Sequence, residues 1–448
     1  MPDEGRTGAF GLSRVERWQY LVTETTFKAL GLSEPLLRAL EAANHTVPTP
    51  IQVEAIPAVL EGSDMLGIAQ TGTGKTAAFA LPLLQHLTAD EAKTHPRRPR
   101  ALILAPTREL ALQIDASIRT YAKFLNIRHG VVIGGVSQHG QVKALNRGLD
   151  ILVACPGRLM DLMNQRCVSL EDVDYLVLDE ADRMLDMGFV RDVKKIVAAT
   201  RKDRLTQFFS ATMTREVETL ANEMLIEPKR VEVTPASVPV ERIEQSVVFV
   251  EGSKKRSLLN EMLNDNAMSR VIVFTRTKHG ANRLAEQLDR DGISADALHG
   301  NKSQSQRERA LARFRRGQAR VLVATDIAAR GIDVESISHV INFDLPMEPE
   351  AYVHRIGRTA RAGNGGIAVS FCAPDEFGKL RDIERMLKRP LVDPANDPRP
   401  KGGAGNGPKK SGKPGGGKGR RFRGNGGGGK PNGGNGGNGG QRRRPQAA

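Results

Sequence analysis

DMLGIAQTGTGKTAAFALPLLQHL (64–87) decides the fold of this chain. An apolar run gives way to glycines and then, from Lys75, to a helical pattern. Within it AQTGTGKT (69–76) has the spacing of a strand, a phosphate-cradling loop and a helix, with Ala69 in place of the usual first glycine. Gly72 and Gly74 let the backbone bend so that its N–H groups, with Thr71 and Thr73 in the same loop, face a phosphate chain. Lys75 supplies a point charge for the β- and γ-phosphates of ATP, and Thr76 supplies a hydroxyl for Mg²⁺. A merely structural glycine-rich turn would look similar but has no use for Lys-Thr at this offset.

Working outward, short apolar runs recur at 64–70, 100–106, 129–135, 150–156, 175–180 and 206–212, with amphipathic stretches such as 109–125 and 214–225 between them. Buried strands alternating with helices predict an α/β fold with a parallel sheet and crossover helices. Three prolines and scattered charge over 226–245 read as a linker. The alternation then restarts at 246–252, 270–276, 293–300, 320–326, 339–346 and 366–374. Two tandem parallel-sheet domains are expected, 25–225 and 246–390. Residues 1–24 read as a loose extension in which Trp18 and Tyr20 could dock.

Net charge is +15, and residues 401–448 hold 12 Lys or Arg with no acid, leaving +3 on the rest. The same segment holds 20 of the 46 glycines, so 391–448 reads as a disordered basic tail. Three cysteines without CxxC spacing exclude a disulfide scaffold and a structural cysteine-zinc site. There is neither an apolar run near 18 residues nor a signal-peptide pattern, so no membrane association is expected and the cytoplasm is the expected location.

LVLDEAD (176–182) ends a second buried strand on acids. Asp179 would hold Mg²⁺ through water and Glu180 would polarise an attacking water. In isolation the pair could equally cap a helix. Beside a P-loop, phosphoryl chemistry is the better reading, because parallel sheets gather ligands at the carboxyl ends of their strands.

At this point the chain resembles the DEAD-box ATP-dependent RNA helicases. Besides LDEAD it carries VPTPIQ (47–52) with Phe27 upstream, PTREL (106–110), Gly134–Gly135, CPGR (155–158) and SAT (210–212). VFTRT (273–277), QSQR (304–307), ATDIAARGID (324–333) and HRIGRTAR (354–361) follow in order, so the resemblance covers about 25–390. HGNKSQ, HRIGRTARAG and the basic tail look most like the bacterial RhlE type.

The resemblance implies two RecA-like domains with ATP in the cleft and single-stranded RNA across both. Gln52 would read adenine, whose N7 accepts and N6 donates, while Phe27 would stack on the base and Asp333 would accept from a ribose hydroxyl. Arg358 and Arg361 would act as arginine fingers from the second domain. His354 and Arg355 would link motifs across the cleft, and Ser210 and Thr212 would relay between ATP and RNA. RNA contacts would come from Arg108, Gly135, Gly157 and Arg158, and from Arg276, Gln304, Arg307 and Thr325, with little sequence preference because they grip the backbone.

Three departures stand out. Asn44–His45 replaces Gly–Phe or Gly–Tyr and is expected to loosen packing near adenine. Cys155 replaces Thr, and Ala360 replaces Gly with little expected effect. The implied function is an RNA-dependent ATPase that unwinds or remodels RNA duplexes and RNA–protein complexes, with ribosomal precursors or RNA-decay complexes as partners. An ATP-gated RNA clamp or annealing factor is the alternative, and a DNA translocase fits the motifs less well. The tail would tether RNA nonspecifically.

Overall fold

The structure, a computed structural model, describes residues 25–70, 72–89, 94–233, 243–265, 267–329, 334, 337–360, 365–393 and 395–399. The expectations for 1–24, for Thr71, Asp333 and Arg361, and for the tail beyond 399 lie outside them.

Each apolar run that the alternation singled out forms a strand. Seven of them, β1 (Met65–Ile68), β2 (Ala101–Leu104), β3 (His129–Val132), β4 (Ile151–Ala154), β5 (Tyr175–Leu178), β6 (Leu205–Ser210) and β7 (Lys229–Glu232), make one parallel sheet in the order β3-β4-β2-β5-β6-β1-β7. Six more, β8 (Ile243–Phe249), β9 (Val271–Phe274), β10 (Ala295–Leu298), β11 (Val321–Ala324), β12 (His339–Asn342) and β13 (Gly366–Cys372), make a second parallel sheet, β10-β11-β9-β12-β13-β8. Numbered from its own first strand, the second sheet runs 3-4-2-5-6-1, the order of the first without its last strand. The two halves share a topology that their sequences do not display.

Both sheets are covered on both faces. Along β2, Ala101 and Ile103 enter one core cluster while Leu102 and Leu104 enter another, as the two-residue period of a strand requires. The second sheet is likewise sandwiched between two clusters. Helices stand between the strands, so the loops after β1, β2, β4, β5 and β6 emerge together at the carboxyl edge. That edge carries the P-loop, PTREL, CPGR, DEAD and SAT segments.

Two boundaries differ from expectation. The stretch read as a linker contains β7, which pairs with β1, and the start of β8. β7 buries only Val231, so its apolar signal was too thin to see. The stretch read as tail begins in folded structure: Leu391 and Val392 pack on the second core, and Arg399 is clamped by Glu384 and Asp397. Two apolar residues and one buried ion pair are enough to hold it.

Candidate active site and RNA-facing surface

The P-loop forms as its glycines dictate. Gly72 and Gly74 take φ of +90° and +93°, a region open to glycine at little steric cost. A Cβ on Gly74 would lie 2.5 Å from Gln52 Nε2 and 2.7 Å from Thr49 Oγ1, so the loop also needs glycine for close approach. Lys75 opens the helix Lys75–Ala89 and is 5 % exposed. Its Nζ lies 3.8 Å from Asp179 Oδ1 and has no hydrogen-bond partner. A buried ammonium without a partner, inside a glycine cradle, is the donor that a phosphate chain would complete. Thr73 Oγ1 donates to Gln70 O at 2.8 Å, and Thr76 lies in the first turn of the helix.

Asp179 and Glu180 follow β5 and are each 2 % exposed. Burial pushes the Asp179 carboxyl up to about 6 against the pull of Lys75, so its charge calls for a cation at this place. Burial would raise Glu180 too, but Arg183, Lys75 and Arg358 together hold it below the usual carboxylate range. Glu180 remains the ionised member of the pair. It sits in the left-handed region at φ +54° and contacts Arg183 Nη1 through Oε2.

Gln52 is buried, its Nε2 donating to Gly74 O at 3.0 Å and its Oε1 accepting from Thr49 N at 2.9 Å. One amide hydrogen and one lone pair remain for a base, so reading adenine would be tied to P-loop shape. Phe27 is 6 % exposed and belongs to the core cluster, which corrects the expectation of an open stacking face. Asn44 does not loosen its surroundings. It occupies φ +56° after the helix Glu34–Ala42, a left-handed position that Asn tolerates, while His45 keeps an aromatic ring there, 5.8 Å from Tyr121.

Asp182, the last acid of DEAD, organises the SAT loop. Its Oδ2 accepts from Ala211 N, from Thr212 N at 2.9 Å and from Thr212 Oγ1 at 3.0 Å, while Ser210 Oγ donates to Thr212 O at 2.7 Å. Ser210 and Thr212 are thus one covalent stretch and one carboxylate away from Glu180.

From the second domain, Arg358 is buried with its charge acting on Glu180, and its Nε donates to His354 O at 3.1 Å. Arg355 corrects the expectation of a link across the cleft. It is 2 % exposed, grips Asp326 through Nε (2.5 Å) and Nη2 (2.8 Å), donates to Asn342 Oδ1 and Asp344 O, and lies over the Phe274 ring. Those partners all belong to the second domain, so Arg355 braces it internally. Ala360 takes φ +54°, so its methyl costs more than expected.

On the RNA-facing candidates, Arg108 lies across Gly134–Gly135, where a Cβ on Gly135 would overlap its guanidinium. Arg158 Nη1 donates to Val136 O at 3.2 Å, and Gly157 stands open in the first turn of the helix Pro156–Asn164. Burial pushes the Cys155 thiol up to about 12, with Glu109 adding to the effect, so it stays a neutral thiol. Across the cleft, exposed Arg276 anchors its N–H on Asp344, and Thr325 N donates to Leu298 O at 3.3 Å. Gln304 and Arg307 are buried, and Arg307 Nε meets Glu109 Oε1 of the first domain at 2.7 Å. Arg307 therefore joins the two domains as it stands.

The family model for a DEAD/DEAH box helicase matches residues 49–220, and that for a helicase conserved C-terminal domain matches 254–363. This chain belongs to the DEAD/DEAH box helicases. It is 42 % identical over 367 residues to the DEAD-box ATP-dependent RNA helicase CshA of Bacillus cereus, covering 82 % of this chain and 69 % of that protein. It is 43 % identical over 373 residues to the ATP-dependent RNA helicase RhlB of Pseudomonas syringae, covering 82 % and 94 %. Among solved structures, Saccharomyces cerevisiae Dbp5 bound to RNA and ADP–BeF₃ superposes with a TM-score of 0.72 at 31 % identity, covering 82 % of this chain and 94 % of that one.

In this DEAD-box chain the motif reading brought Lys75, Asp179, Glu180 and Arg358 to one place, but it missed Glu109, Asp182 and Arg183. Each stands inside or beside a quoted motif. Their partners are remote in sequence or sit a single helical turn away, so only the fold reveals the pairing.

Proposed function

We infer that the chain is an RNA-dependent ATPase that couples ATP binding and hydrolysis to local unwinding or remodelling of RNA duplexes and RNA–protein complexes. The observation that carries this is the charge of Arg358, from one sheet's domain, acting on buried Glu180 of the other beside Lys75. Lys75 and the P-loop amides bind the β- and γ-phosphates, and Glu180, held ionised, orients the attacking water. Mg²⁺, bound by Thr76 and through water by Asp179, would supply charge neutralisation at the phosphates. Arg358 completes the site only when the second domain arrives, so RNA that bridges both domains promotes hydrolysis. Thr71, Asp333 and Arg361 are assigned to the phosphates, the ribose and the second finger on the family resemblance.

Arg108, Gly135, Gly157 and Arg158, with Arg276, Gln304, Arg307 and Thr325, would line the RNA path, in which Arg307 also ties to Glu109. The wording HGNKSQ and HRIGRTARAG supports the RhlE type, acting in the cytoplasm on ribosomal precursors or RNA-decay complexes. Among the described residues no helix is long and apolar enough to cross a membrane, and no group of three or more His, Cys, Asp or Glu is placed to hold a metal. Unwinding of a short RNA duplex tests the reading: wild type separates the strands with ATP, and Glu180→Gln does not while still gripping RNA. Wild type that grips RNA with ATP but never unwinds would favour the clamp instead.

A further inference from the structure

Arg183 has no part in the mechanism above, yet the structure puts it in the middle of the closed cleft. It follows DEAD directly, lies in the helix Ala181–Asp186, and is 6 % exposed. One side of its guanidinium holds Glu180 through Nη1. The other side enters a small cavity whose second-domain wall carries Asp326, His354, Arg355 and Arg358. Asp326 already accepts two bonds from Arg355. Behind Glu180, Lys75 and Asp179 offset one another. Across the interface the guanidinium groups of Arg183, Arg355 and Arg358 therefore outnumber the carboxylates of Glu180 and Asp326.

This excess positive charge is desolvated when the domains meet, and like charges in a water-poor cleft repel strongly. Bound ATP brings the missing negative charge as its γ-phosphate, and ADP does not. Arg183 also occupies the carboxylate that Arg358 would otherwise hold when no γ-phosphate is present.

We propose that Arg183 is a positioning residue that makes closure of the second domain depend on the γ-phosphate, by claiming Glu180 and adding a cation to the interface. The inference rests on the split-site reading above and adds to it a source for nucleotide discrimination. Neutralising Arg183 lets Glu180 turn to Arg358, so closure on RNA becomes easier with ADP.

Affinity for a short fluorescent oligouridylate, measured by anisotropy with AMP-PNP and with ADP, tests this in the full chain. The ratio of the two affinities is the readout. It falls about fivefold or more in Arg183→Met, chiefly through tighter binding with ADP, and Arg183→Lys keeps the wild-type ratio. Arg183→Gln, neutral but still able to donate to Glu180, gives the same fall and serves if the Met variant does not fold. An unchanged ratio in the neutral variants, an equal loss of affinity with both nucleotides, or a Lys variant that behaves like Met overturns the inference and leaves the functional reading standing. Wild type whose RNA affinity ignores the nucleotide overturns that reading, and the inference with it.

Discussion

At residue 180 a carboxylate is buried, ionised and held in a left-handed backbone conformation, and each condition depends on a neighbour. Arg183, Lys75 and Arg358 keep the charge, while the helix that starts at Ala181 fixes the backbone. Such strain persists only where surrounding contacts over-determine it. Ala360 shows a similar strain with less reason for it. At φ +54° it replaces a glycine beside the finger arginines, and an L-residue there costs about 1–2 kcal/mol. Ala360→Gly should therefore raise stability by about 1 kcal/mol, read as a higher denaturant midpoint with an unchanged slope. At this scale the sequence told residue types and spacing but not φ. The Asn44 substitution looked disruptive and is not, whereas the Ala360 substitution looked harmless and is strained.

Among the elements, strands buried on both faces were plain in the sequence because MLGI, ALIL, ILVA and YLVL carry no polar residue. β7 escaped because it is an edge strand with one buried side chain, and the packing of Leu391 and Val392 escaped because two residues make no pattern. Two histidines at strand ends of the second sheet carry a prediction. His299 follows β10 and His339 begins β12, and both are buried. Burial lowers both, and Lys302, Arg307, His279 and Lys278 lower His299 further. The unfolded chain then binds more protons than the folded one between the lowered folded values and about 6.5. Stability is full above that window and falls as pH drops through it. Replacing both histidines with Gln should flatten the acid side of a plot of unfolding free energy against pH; a plot as steep as wild type would show they are not its source.

On the scale of the whole molecule, the two domains repeat one strand order with one active phosphate site. The helix after β1 opens on Lys75, and the helix after β8, its counterpart, opens on Lys255. Lys255 is consumed by Glu376 at 2.6 Å and Phe343 O at 2.7 Å, so the second domain braces itself where the first binds phosphate. What the second domain gives instead is cations at the cleft. Arg307 reaches Glu109 at one end and Arg358 acts on Glu180 at the other. A double-mutant cycle of Glu109→Gln and Arg307→Met on ATP-dependent RNA affinity should show a coupling of about 0.5–3 kcal/mol; strict additivity would mean the pair does not join the domains.

The split site is most directly tested by the ATPase rate with and without a short single-stranded RNA, in wild type and in Arg358→Ala. Strong stimulation by RNA in wild type, lost by about a thousandfold in the variant, is the expected result. Hydrolysis indifferent to RNA, or an Arg358→Ala chain as fast as wild type, would contradict the claim that the second domain completes the site.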